Sequence, residues 1–162
     1  MGEEMEKEWQ KVLDRFPYGI YLVTISTPEG PNGMIASWLT QCSHEPPLIA
    51  LAIRRDRLSH KQILETEKFC INVLPRESAA MIKRFKIPDW KNKFAGCAYS
   101  WSENGLCVLD DCVGFLDCAL ERAIPVGDHT LFIGRIIAGA MKNADKTVTL
   151  STNDYDGVYR GT

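Results

Sequence analysis

Apolar residues in this chain fall in runs of strand length, and that spacing limits the folds open to it more than any other feature. Ile20 to Ser26, Leu48 to Arg54 and Phe69 to Leu74 are short and rich in β-branched residues. Met34 to Ser43, Val113 to Arg122 and Thr130 to Met141 read as further strands, with a last short one near Thr147 to Leu150. Turn residues separate them: Thr27 to Gly33 holds two prolines and two glycines, Glu45-Pro46-Pro47 interrupts any ladder, and Pro125 to His129 makes another turn. Leu48 to Arg54 is apolar on both faces, which places it centrally in a sheet. Helical spacing is confined to three places. Trp9, Val12, Leu13 and Phe16 share one face of a helix stopped by Pro17-Tyr18-Gly19. His60 to about Glu67 forms a short helix, with Ser59 as N-cap and Gln62 completing a capping box. Glu77 to Phe85 is a third, ended by Pro88, and Trp90 to Gly96 is a basic, aromatic loop. Parallel βαβ architecture needs strands alternating regularly with long helices, so the pattern points to one antiparallel barrel with peripheral helices.

Length and charge narrow the function. At 162 residues the chain is expected to be a single domain, 1–162, that needs no metal or disulfide staple. Lys plus Arg number 19 and Asp plus Glu 21, a balance that argues against a nucleic-acid binder and a polybasic membrane binder alike. No apolar run approaches a membrane span, and the acidic start Met-Gly-Glu-Glu-Met-Glu-Lys-Glu is no secretory signal. Lys7 stands where a myristoylation signal wants Ser or Thr. A cytoplasmic, reducing location is therefore expected, with the cysteines at 42, 70, 97, 107, 112 and 118 as free thiols. The even separation of Cys112 and Cys118 puts both on one strand face.

Three segments carry candidate chemistry. Arg54-Arg55-Asp56-Arg57-Leu58-Ser59-His60 sets three arginines before a helix start, where free N–H groups and partial positive charge attract phosphate. On this segment alone, a solvated loop whose Ser59 merely caps its helix is the better reading. Asn32-Gly33-Met34-Ile35-Ala36-Ser37-Trp38 offers a strand edge of little bulk at Gly33, Ala36 and Ser37. A flat ring could approach the backbone there, with Asn32 and Ser37 at its polar rim and Trp38 as an apolar wall; an ordinary hairpin strand explains the segment equally well. Gly127-Asp128-His129 fits a tight turn, and His129 could instead face a pocket and titrate near neutrality. There is no Gly-x-Gly, P-loop, Cys-x-x-Cys or Gly-x-Ser-x-Gly, so Rossmann, metal and hydrolase readings fall away.

Taken in order, these segments resemble the flavin reductase-like, FMN-binding split-barrel family, with the flavoredoxin-like branch and the flavin reductase domain of diflavin flavoproteins as the nearest likeness. The resemblance runs through Tyr18 to Thr24, Asn32 to Trp38, Ser43 to Leu48, Ser59-His60, Phe69 to Leu74, Lys93-Phe94-Ala95-Gly96, Gly127 to Gly134 and the tail Tyr155-Asp156-Gly157-Val158-Tyr159. It implies a mainly β fold, a six-stranded antiparallel Greek-key split barrel with peripheral helices, working as a homodimer with FMN near the subunit interface. Asn32, Gly33, Met34, Ile35, Ala36, Ser37 and Trp38 would border the flavin ring and ribityl chain. Arg54, Arg55 and Ser59, with the helix start at His60, would receive the phosphate; Lys93, followed by Phe94, would add a charged contact. His129 would sit beside the flavin as the catalytic residue, and Tyr155 would cover part of it. Ser59 replaces the threonine many members carry, and the tail departs from the usual Leu-x-Tyr-Tyr/Phe pattern.

The implied activity is NAD(P)H-dependent flavin reduction through bound FMN, with NADH or NADPH as donor. The alternative keeps FMN and makes the chain an electron-transfer flavoprotein reduced by a partner such as rubredoxin or ferredoxin. An empty barrel retained as an interaction module is disfavoured by the intact Asn32, Ser37, Arg54, Ser59 and His129.

Overall fold

Residues 2–155 and 159 are described by the computed structural model, with side chains from Lys7 onward. A helix α1 (Gly2–Leu13) precedes strands β1 (Tyr21–Thr27), β2 (Gly30–Ala36), β3 (Leu39–Ser43) and β4 (Leu48–Arg54). Helix α2 (Leu58–Thr66) and strand β5 (Lys68–Val73) follow, then a short helix α3 (Met81–Arg84). Strands β6 (Tyr99–Trp101) and β7 (Cys107–Leu109) form a hairpin, and β8 (Gly114–Val126) and β9 (His129–Met141) are long and joined by a tight turn. Seven strands make one antiparallel sheet in the order β2-β1-β5-β8-β9-β4-β3, with β6-β7 separate.

The sheet is mainly β and antiparallel with helices at its edges, as expected, but it has seven strands where six were implied. Met34 to Ser43 is not one strand. The chain leaves β2 after Ala36, and β3 begins at Leu39 on the opposite edge of the sheet. Three Cα steps span about 11 Å at most, so the link through Ser37 and Trp38 draws the two edges together and curls the sheet. Trp38 O accepts from Ala52 N at 3.0 Å, fixing the crossing.

The inside of the curl is filled by Val23, Ile25, Leu51, Ile53, Phe69 and Phe132, with Ile63 of α2 closing one end. A second core on the outer face of β1 and β5 joins Leu22, Cys70, Phe85, Phe94, Cys107 and Leu150. Strands β1 and β5 are thus buried on both sides, which is why they read as near-continuous apolar runs. Two buried polar side chains dock β7 on them: Thr24 Oγ1 donates to Cys107 O at 2.6 Å, and Asn72 Oδ1 accepts from Leu109 N at 2.8 Å.

Other boundaries differ from expectation for local reasons. Glu77 to Phe85 is a 3-10 turn (Arg76–Ser78) followed by the four residues of α3. Near Thr147 to Leu150 there are only isolated bridges, Pro75 to Thr149 and Gly19 to Ser151. The β6-β7 hairpin was not expected; it turns at Asn104-Gly105, whose glycine takes φ +75°. Cys112 and Cys118 do not share a face: Cys112 precedes β8 and joins the outer core, while a bulge at Asp117/Cys118 turns Cys118 into the inner one. All six cysteines are free, and burial pushes the Cys112 thiol up to about 11 and those of Cys107 and Cys118 up to about 12. No helix among the described residues is long and apolar enough to cross a membrane.

The apolar face of α1 is not covered by the described residues. Trp9, Val12 and Leu13 are 50%, 62% and 41% exposed, and Phe16 follows just beyond the helix end.

On the inner face of β9, only glycine fits at position 134. A Cβ on Gly134 would stand 2.5 Å from Phe69 Cζ and 3.0 Å from Cys118 Cβ, both in the inner core. Gly134→Ala is expected to lower unfolding stability by about 1–3 kcal/mol, the usual cost of overpacking. A denaturant midpoint unchanged from the parent chain would contradict this packing.

Candidate functional site

The seam between the two sheet edges is built from small side chains. Ala36 and Ser37 are buried where β2 ends, and Trp38, 48% exposed, stands at the crossing. Its indole stacks on the His129 imidazole, with centroids 4.7 Å apart and planes at 29°. His129 reaches this place as the first residue of β9, registered opposite Arg54 of β4, after a turn whose Gly127 takes φ +55°. Its Nδ1 lies 2.6 Å from Asp128 Oδ1. An ionised carboxylate only accepts, so Nδ1 carries the proton and Nε2 is the nitrogen left for other work. The same hydrogen bond holds the Asp128 carboxyl below the usual carboxylate range.

The arginine segment divides its tasks differently from the expected pattern. Arg55 is exposed and braces the β8-β9 turn: its N donates to Asp128 O at 3.1 Å and its Nη2 to Gly127 O. Arg54 Nη2 pairs with Asp56 Oδ2 at 2.9 Å and borders the seam with Trp38 and His129. Arg57 is the arginine that borders both the seam and the cavity beside it. It also occupies the N-cap of α2, without a side-chain cap, so Ser59 is not the N-cap and no capping box forms. Gln62 faces β2 instead, where its buried Oε1 accepts from Asn32 Nδ2 at 2.7 Å. Asn32 Oδ1 in turn accepts from Gly33 N at 2.8 Å. Asn32 therefore braces the wall from within rather than presenting its amide to a ring. Ser59, relieved of capping, lines the cavity as a buried residue.

His60 also turns away from the cavity. Its Nε2 lies 2.7 Å from Thr130 Oγ1, its ring meets the edge of Phe132 at 5.1 Å, and its N–H donates to Arg57 O. Burial, and then the Arg55 charge, pulls its pKa down. It fastens α2 to β9.

A third wall comes from the segment after α3. Lys93 is buried, its Nζ donates to Gly33 O at 2.8 Å, and it lines the same cavity as Ser59. Phe94, expected at the cofactor, is a core residue packed edge-on against Phe85 and Tyr99 at 5.0 and 5.3 Å. Lys86 and Trp90 complete the wall. Lys86 Nζ stands 4.8 Å over the ring of Tyr159. Tyr155 lies on the far rim, beside Trp38 and α1, and meets Tyr159 edge-on at 5.2 Å. The expected tail residues Asp156, Gly157 and Val158 lie outside the described residues.

These walls enclose a groove that follows β2. An open apolar space of about 850 Å³ between α1, Trp38 and Tyr155 leads through Ser37 and Trp38 to the narrow seam. The seam leads past Met34, Ile35 and Arg57 into a cavity of about 420 Å³ at Asn32, Ser59 and Lys93. Among the described residues Arg57, Lys86 and Lys93 have no acidic partner. Burial, and after it the Arg57 charge, lowers the pKa of both lysines, as expected of cations gathered without an anion. Sequence reasoning placed Ser37, Ser59, Lys93, Trp38 and His129 at this groove and counted Arg57 among the three arginines before the helix, but it passed over Lys86 and gave Trp90 and Gln62 no place at the site. The aromatic, basic run at Trp90 to Gly96 was the available signal for the third wall.

In sequence and in fold the chain is similar to known proteins. The model of the flavin reductase like domain matches residues 13–161. A flavin reductase of Pseudomonas putida is 32% identical over 155 residues, covering 94% of this chain and 91% of that one. A high molecular weight rubredoxin of Moorella thermoacetica is 33% identical over 156 residues, covering 94% and 67%. Among solved structures, the NADH:FAD oxidoreductase of Streptomyces globisporus C-1027 superposes with a TM-score of 0.78 at 28% identity, covering 84% of this chain and 82% of that one. With a family model spanning nearly the whole chain and relatives matched along their length, this chain belongs to the flavin reductase like domain family.

Proposed function

We propose that the chain is an NAD(P)H-dependent flavin reductase that holds FMN along β2, the whole of 1–162 acting as one flavin-binding domain in a reducing cytoplasm. The observation that carries this reading is the order of features in the groove: a small-residue seam, the passage past Met34 and Ile35, then a cavity where a buried hydroxyl meets cations that have no acidic partner among the described residues. That is the order of ring, ribityl chain and phosphate. The residues fit the group. Ala36 and Ser37 let a flat ring approach the backbone, and Trp38 supplies an apolar wall. Arg57, Ser59 and Lys93 converge on a space for phosphate, with Arg57 able to give paired donors.

A bound flavin supplies the redox chemistry, accepting a hydride at N5 and giving electrons on singly or in pairs. The chain's own residues orient and shield. His129, its Nδ1 proton held by Asp128, offers Nε2 for positioning a nicotinamide or handling a proton at the seam. The exposed apolar side chains of α1, with Phe16, Trp38 and Tyr155, frame the open end of the groove. In this reading a second copy covers them, making a homodimer with the flavin near the interface. A second reading is favoured by one observation, the relative named high molecular weight rubredoxin: the chain then carries electrons on FMN between protein partners such as rubredoxin or ferredoxin.

Anaerobic mixing with each reduced nicotinamide separates the two. Bleaching of bound FMN within seconds by NADH or NADPH is expected; no bleaching over minutes, with prompt bleaching by reduced rubredoxin or ferredoxin, would make the chain a carrier. Arg57→Ala and Ser59→Ala should each weaken FMN by about 1.5–3 kcal/mol, roughly ten- to a hundredfold, and leave riboflavin unchanged. Arg55→Ala should leave both ligands unchanged, and equal losses for FMN and riboflavin would move the phosphate elsewhere.

Lys86 and Lys93 attract phosphate only while protonated, and their pKa values are lowered. FMN affinity should therefore be full at neutral pH and decline as pH rises through those lowered values, before an ordinary lysine titrates, with riboflavin flat across the range. Sedimentation equilibrium should show a dimer that Phe16→Glu converts to a monomer; a monomeric parent chain would remove the interface from this reading.

A further inference from the structure

Among the described residues, Ser26 Oγ, Asp117 Oδ1 and the Tyr159 hydroxyl are buried polar atoms without a hydrogen-bond partner. Ser26 and Asp117 do not line the groove, and Asp117 holds Asn104 Nδ2 at 3.0 Å on its other oxygen. Tyr159 does line it, together with Ser37, Trp38 and Tyr155.

The ring of Tyr159 is fixed from several sides. It packs against the outer core, Tyr155 meets it edge-on at 5.2 Å, and Lys86 Nζ stands 4.8 Å over its face, where a cation is attracted. Its hydroxyl is the part left without a contact to account for its place. Burial pushes the pKa of the phenol up, Ser37 draws it partly back, and Tyr155 adds to the rise. The phenol therefore keeps its proton through the neutral range and has a hydrogen bond to give. Ser37 stands close enough to act on it, yet the geometry of a hydrogen bond between them is not met.

An O–H shut away from water without an acceptor costs stability, and the cost vanishes when a ligand brings the acceptor. The place of this hydroxyl says which part of a ligand would do so. Ser37 belongs to the small-residue seam, far from the cations that gather around Ser59 and Lys93 in the neighbouring cavity. A flat ring laid on the seam presents its rim there, and the polar rim of a flavin carries carbonyl and ring-nitrogen acceptors.

We propose that the Tyr159 hydroxyl donates a hydrogen bond to an acceptor on the flavin's polar rim beside Ser37, and that this bond raises the reduction potential of the bound flavin. The proposal rests on the reading of the groove as a flavin site and adds a ring contact to it. A reduced flavin ring carries more negative charge on that rim than an oxidised one, so a donor already fixed in place favours the reduced form. The part expected of Tyr155, a tail tyrosine at the flavin, thus falls to Tyr159; Tyr155 is 36% exposed and serves as a brace for its ring.

Tyr159→Phe in the full chain tests it, because the variant keeps the ring beneath Lys86 and removes only the oxygen. Without ligand it should melt at or above the parent temperature, since an unsatisfied buried group has been taken away. Oxidised riboflavin and FMN should each bind about fivefold more weakly, and the dithionite-reduced forms about fiftyfold. That tenfold difference lowers the midpoint potential of the bound flavin by about 30 mV for a two-electron couple. Unchanged affinities and potential overturn the proposal, as does a loss confined to FMN, which would put the hydroxyl at the phosphate. A variant that melts below the parent or fails to fold also overturns it, because the hydroxyl then has a partner within the chain. If neither riboflavin nor FMN binds the parent chain, the flavin reading of the groove fails with it, a result distinct from losing the Tyr159 contact alone.

Discussion

The short link between β2 and β3 governs the rest of the molecule. Opposite edges of a seven-stranded sheet are joined by Ser37 and Trp38 alone, so the sheet must curl until those edges lie within about 11 Å. The curl encloses the inner core around Phe69 and Phe132. It also leaves one place where the wall is incomplete, and that seam is where small side chains and the Trp38–His129 stack are found. A barrel closed by hydrogen bonds all round would have no such opening. The functional groove is a by-product of how the sheet closes.

Buried polar ties then fix the seam's neighbours. Gln62 to Asn32 fastens α2 to β2, Lys93 to Gly33 O fastens the third wall to the same strand, and His60 to Thr130 fastens α2 to β9. Each joins segments far apart in sequence, and each is costly to break because an unsatisfied partner would remain buried. Together they hold Arg57, Ser59 and Lys93 at set positions around one cavity, despite the burial and, after it, the repulsion from Arg57 that lower the lysine pKa values. An anion relieves that repulsion, so the same arrangement that makes the empty groove uncomfortable makes it receptive.

Much of the fold was legible because burial leaves a periodic trace. β1 and β5 are buried on both faces and stand out as apolar runs; the Gly127-Asp128 turn is marked by its glycine. The break at Ser37-Trp38 was not legible, since a strand that changes edges keeps the same alternation as one that continues. The capping box at Ser59 and Gln62 was misread for a related reason: the motif fits local rules, but Gln62 has a tertiary partner in Asn32 that no local pattern reveals. Among three neighbouring arginines, the one facing the cavity is set by helix phase and by the β8-β9 turn, which takes Arg55. Phe94 was assigned to the cofactor through its neighbour Lys93, yet Lys93 reaches Gly33 O while Phe94 packs against Phe85 and Tyr99 in the core.

The central claim is that Arg57, Ser59 and Lys93 together form the phosphate end of a flavin site that begins at the seam. A crystal structure of the chain with FMN tests it most directly. The account predicts the ring against Ala36, Ser37 and Trp38, and phosphate oxygens within hydrogen-bond distance of Ser59 Oγ and the Arg57 guanidinium. A phosphate bound at Arg55 and the β8-β9 turn, or a flavin lying wholly in the open space beside α1, would contradict it.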